Sequence, residues 1–213
     1  IEELGTSQLF SVLRGIDTSL RDIYSKGYFI TQHMNDDLRA NGVVPILMVF
    51  LARSGHEVLE VERQTLNSDA QLIPVEKWTS EQAHALRISF RNRETRQVKE
   101  LVYFDIDIRD ENMEKHPEFI QYIDELKPTH TFIKAGSYVL CCRHASTVRD
   151  AILKASQTLF QDDTGIPLRE LDDESWNIQL YGEYAWPTKD FGTYTHQKSL
   201  MALMQVFVVK PFI

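Results

Sequence analysis

Residues 131–167 constrain the fold more than any other stretch of the chain. They read as one long apolar strand, an amphipathic helix and a sharp turn, in direct succession. The run 131–142 has Lys134 as its one charged residue, and near-continuous apolar runs suit a strand covered on both faces. After it, Val148, Ile152, Ala155 and Leu159 are spaced four, three and four apart, which is one buried stripe at helical period. Ser146 can cap the start and Gly165 lies just beyond the end, so a helix is expected between them. Asp162 and Asp163 then fall at the negative end of that helix, where an acid costs about 0.3–1 kcal/mol. A turn hydrogen bond, an arginine or a ligand must answer them. Arg169 is near enough in sequence to reach back and clasp either carboxylate.

The remainder alternates between helical and extended signals without a regular βαβ rhythm. A helix is expected over 6–26, with a stripe through Leu9, Leu13, Ile16, Leu20 and Ile23, and a shorter one over 31–40. The apolar run 43–52 reads as a buried strand, broken at Arg53-Ser54-Gly55-His56 and returning over 57–66, where Leu59 and Val61 alternate with glutamates. Residues 67–82 are polar and read as loop. Leu86, Ile88 and Phe90 alternate with Arg87, Ser89 and Arg91, a half-buried strand, and a charged connection leads to another strand over 100–108. Pro117 opens a helix that Pro128 closes. A last strand is expected over 175–186, a helix over 192–205 and an apolar tail over 206–213. The sum is an α+β fold, a mainly antiparallel mixed sheet of five to six strands with helices packed on it, in a single domain over 1–213.

Charge and motif narrow the chemistry. A net charge of −8 argues against a general nucleic-acid binder. The cluster Arg87, Arg91, Arg93, Arg96 and Lys99 reads either as a phosphate or anionic-polymer contact or as a solvated hairpin end. No apolar run reaches the length of a membrane span. The adjacent Cys141 and Cys142 read as small buried hydrophobes. His33, Asp36 and Asp37 lack the third ligand element a metal needs, and Asp105 and Asp107 lack calcium-loop spacing, so neither metal nor cofactor is expected. The chain has no Gly-rich phosphate loop, zinc helix or nucleophile elbow.

Two readings of function follow. The first is a non-catalytic binding or structural domain. The alternative is a hydrolase acting on glycan or peptide through Asp162 or Asp163, near Arg53 and His56 at the 53–56 tip. Tyr181 is a further candidate for binding ligand.

Phe29-Ile30-Thr31 through Leu38, the run from Gly42 through His56, the turn from Gln161 to Arg169, and Trp176 with Gly182-Glu183-Tyr184 resemble a family of exported bacterial proteins of unassigned function. The resemblance implies a bacterial source and a periplasmic or secreted location, with the cytoplasm as alternative. It also implies a preceding N-terminal segment that pairs with this one as a partner. It supplies no activity and no catalytic residue.

Overall fold

The computed structural model describes residues 10, 13–18, 21, 43–79, 82–126, 128–133, 139–141, 143–161, 165–172 and 174–180. Residues 10, 13–18 and 21 are helical, as the stripe over 6–26 anticipates. The expected helices over 31–40 and 192–205, the tail over 206–213 and the group His33, Asp36 and Asp37 lie outside the described residues. The chain divides into two compact units, residues 1–106 and 107–213. Among the described residues it is a mixed α+β structure, with a four-stranded antiparallel sheet in the first unit and a two-stranded parallel sheet in the second.

In the first unit, helix α1 (Val43–Arg53) stands where a strand is expected. The apolar run hides its own period, because residues on every side of it are hydrophobic. Pro45 carries the missed signal: proline is excluded from a central strand but tolerated in the first helical turn, where the N–H has no intrahelical acceptor. Strands β1 (His56–Leu66), β2 (Leu72–Pro74), β3 (His84–Asn92) and β4 (Val98–Asp105) follow, in sheet order β2-β1-β3-β4. The short β2 lies inside the stretch read as loop. Val44 of α1 shares a buried cluster with Leu86 and Ile88, and Met48, Leu51, Val58, Leu101 and Tyr103 pack against it.

Strand β1 does not keep the simple alternation its sequence suggests. A bulge falls between Val58 and Glu60, so Val58 opposes Phe90 and Val61 opposes Ile88. The extra residue, Leu59, is left 44% exposed. A bulge shifts the side-chain alternation by one residue, which puts Val58 rather than Leu59 against the core. On the opposite face, cross-strand partners are charged: Glu62 faces Arg87 and Glu57 faces Arg91.

The second unit contains α2 (Asp110–Met113), α3 (Pro117–Glu125), β5 (Thr129–Ile133), α4 (Ser146–Ala155) and β6 (Ser156–Gln161). Phe119 and Ile123 of α3 are buried, with Pro117 in the first turn as anticipated. Of the expected strand 131–142, the described residues 131–133 are extended in β5 and Val139–Cys141 forms a 3-10 turn, with a second 3-10 turn at Arg143–Ala145. Helix α4 carries the chain across to β6, which runs parallel to β5, a crossover that parallel pairing requires. Leu140, Ala145 and Ile166 form the buried centre, with Ile133, Ile152 and Leu159 around it.

Two expectations fail here. Helix α4 stops at Ala155, and Ser156 has turned extended, with ψ at 125°. Leu159 therefore reaches the core from a strand and not from the helical stripe. Residues 176–180 form no strand, so the expected last strand is absent over its described part.

Candidate functional site

The sequence candidates fall in two places, one in each unit. Arg53 and His56 belong to the first unit. Helix α1 ends there by a tight exit: Ser54 N–H donates to the Phe50 carbonyl at 2.9 Å and Gly55 N–H to that of Ala52 at 3.3 Å. Gly55 sits at φ +80°, and no heavy atom lies within 4 Å of where a Cβ would stand. Glycine is favoured there by backbone angle and not by lack of space.

The neighbouring turn between β3 and β4 is fastened to this exit. Arg93 N–H donates to the Gly55 carbonyl at 3.0 Å. Asn92 organises the turn itself, since its Oδ1 accepts from the backbone N–H groups of Glu94 and Thr95, both at 2.9 Å. Arg96 closes it in the left-handed region at φ 62°. Sequence reading missed Asn92, although an Asn opening a polar connection is a signal for this kind of side-chain turn.

His56 is held on three sides. Its Nδ1 lies 3.1 Å from Ser54 Oγ, its Nε2 is 3.5 Å from Asn92 Nδ2, and its ring meets Phe90 edge-on at 5.2 Å. Ser54 Oγ also lies 2.8 Å from the Phe50 carbonyl and 3.1 Å from that of Leu51. A hydroxyl has one proton, and two carbonyls compete for it. The tautomer that satisfies this group has Nδ1–H donating to Oγ and Nε2 accepting from the Asn92 amide. In that arrangement the Ser54 proton points back into the helix, and His56 is not its base.

The second place is the turn after β6. Asp162, Asp163 and Tyr181 lie outside the described residues. The helix expected to run up to this turn stops at Ala155, and Gln161, the last described residue before the turn, belongs to β6. Gln161 spans the turn instead. Its Oε1 accepts from the Ile166 N–H and its Nε2 donates to the Ile166 carbonyl, both at 2.7 Å. Gly165 lies beneath this bridge, and a Cβ there would come within 2.7 Å of the Gln161 Cδ, so the amide would have to move to admit one. Arg169 follows on the 3-10 turn Leu168–Glu170, exposed, with Nε donating to Glu170 Oε1 at 3.1 Å.

Elsewhere in the second unit, carboxylates serve the backbone and neighbouring cations. Ser146 is not the cap expected of it. It is the first helical residue, and it donates to Asp110, whose carboxylate also receives the Ser146 and Thr147 backbone N–H groups. Asp110 is thus a helix cap supplied from far away in sequence. Burial pushes its carboxyl up, but the hydrogen bonds from Thr147 and Ser146 outweigh this and hold it below the usual value. Asp110 and Asp124 line an open groove of about 870 Å³ with Met113, Pro117 and Ile120, and Asp124 receives Lys154 at 2.6 Å. Arg109 hydrogen-bonds Asp107 and holds its carboxyl down. Among the described residues no group of three or more histidine, cysteine, aspartate or glutamate side chains is placed to hold a metal, and no helix is long and apolar enough to cross a membrane.

Comparison with family models, curated proteins and solved structures finds no match to this chain.

Proposed function

We propose that this chain is a non-catalytic binding or structural module of an exported bacterial protein, with helices packed on an antiparallel sheet as its framework. One observation supports it above the others. His56, the acid–base candidate at the 53–56 tip, spends its ring nitrogens on Ser54 and Asn92 and packs its ring near perpendicular to that of Phe90. A general base needs a lone pair free to reach a substrate proton. His56 instead fastens the helix exit to the strand turn. The acidic overall charge supports a partner that is not a nucleic acid.

The test is direct. The purified chain is incubated with mixed glycans and with unstructured peptides, and product release is followed by mass spectrometry. No release above a buffer blank is expected. Turnover that disappears in His56→Ala or Asp163→Asn would establish the hydrolase in its place.

A further inference from the structure

The sheet of the first unit treats its arginines in two ways. Along the open face they are matched: Arg87 lies 2.6 Å from Glu62 and 3.6 Å from Glu100, and Arg91 lies 2.7 Å from Glu57. At the tip they are not. Arg53, Arg93 and Arg96 are exposed and, among the described residues, make no ion pair. Glu94 is the one carboxylate on the 93–96 turn, and nearby Glu57 is already taken by Arg91.

The two turns that carry these arginines are joined by the Arg93–Gly55 hydrogen bond. Arg96 and Arg93 both add to the pull of Arg91 that lowers the Glu57 carboxyl, so their positive fields reach the same side of the sheet end. Arg96 also occupies a left-handed position. A side chain with a Cβ is disfavoured there, and glycine is not. Ala70 takes the same region with a bare methyl side chain, so the turn itself sets this angle, and Arg96→Gly can remove the guanidinium without straining the backbone.

We infer that the joined turns at 53–55 and 93–96 form a docking point for a multivalent oxyanion, a phosphate or sulfate group, with Arg93 and Arg96 as its principal ligands and Arg53 beside them. This rests on the reading of the chain as a binding module and gives that module a ligand class. Planar guanidinium groups suit such oxyanions because two N–H groups can engage two oxygens at once.

Isotope-labelled chain, residues 1–213, is titrated with sodium pyrophosphate and, separately, with a sulfated oligosaccharide. Each titration is matched by sodium chloride at equal ionic strength. Saturable shifts of the Gly55, Arg93 and Arg96 amides are expected with at least one oxyanion and not with chloride. Saturation by pyrophosphate assigns a small discrete ligand; saturation by the oligosaccharide alone assigns a group borne on a polymer. The doubly substituted chain, Arg93→Gln with Arg96→Gln, should bind about tenfold more weakly or worse, both principal ligands being lost. Arg96→Gly should weaken it about threefold or more while leaving the melting temperature unchanged or higher, which separates lost binding from lost folding. Equal shifts in chloride, or unchanged affinity in the doubly substituted chain, would overturn the inference and leave the tip a solvated hairpin end. Release of orthophosphate from pyrophosphate would instead overturn the non-catalytic reading and leave the docking point in place.

Discussion

The two units keep their strands in register by different means. In residues 1–106 the strand pairs are antiparallel, the β3–β4 connection is a tight turn, and the register is written in successive cross-strand partners such as Val61 with Ile88 and Glu62 with Arg87. Among the described residues of 107–213 the two strands, β5 and β6, are parallel, so a helix comes between them and no hairpin turn sets the pairing. There the chain is tied by single polar side chains acting over distance: Asp110 on the start of α4, and Gln161 on Ile166. The first arrangement spreads its specification over many small contacts. The second concentrates it in a few, and each of those carries more.

The largest effect should nonetheless come from the first unit's core. Ile88 is completely buried beneath α1, and Ile88→Ala should cost about 2–5 kcal/mol, read as a lowered urea midpoint. A cost under about 1 kcal/mol would mean that the sheet and α1 repack freely.

Next comes Gln161→Ala, which leaves the fully buried Ile166 with an N–H that has lost its acceptor. About 1–3 kcal/mol is expected, with faster amide exchange at Ile166. The comparison sharpens with a second substitution. Gly165→Ala alone should destabilise, because its Cβ collides with the Gln161 amide. In the Gln161→Ala background that collision is gone, and the same change should cost less. Additive costs would show that Gln161 is not the bridge.

Smallest is Asp110→Ala, about 1 kcal/mol for a lost helix cap. Its sign with pH follows from the lowered carboxyl of Asp110 in the fold. The wild-type advantage should be complete above the ordinary carboxylate range and should vanish as the pH falls through the lowered folded value. Melting temperatures of both chains from neutral to strongly acidic pH check this. A gap that persists at the acid end would assign the loss to packing and not to charge.

Legibility in the sequence followed the same division. The first unit's strands could be read where polar and apolar residues alternate, as in Leu86-Arg87-Ile88-Ser89-Phe90. Helix α1 could not, because its residues are apolar all round and a period needs contrast to show. In the second unit a coincidence misled: Leu159 continues the stripe of α4 at helical spacing, yet it belongs to β6. The residues that close both candidate places, Asn92 and Gln161, carry no motif. Their importance comes from a backbone group brought within reach of an ordinary amide.

By itself the sequence determined the α+β class, the strands at 57–66 and 86–90, and the acidic balance of the chain. These depend on local pattern and composition, which survive any arrangement of the elements. Only the tertiary structure decided that 43–53 is a helix, that a bulge turns Val58 inward and Leu59 out, and that Gly55 and His56 meet the turn at 92–96. Each of those outcomes is fixed by what another part of the chain presents, a sheet face to cover or a carbonyl to satisfy, and no window of neighbouring residues contains that information.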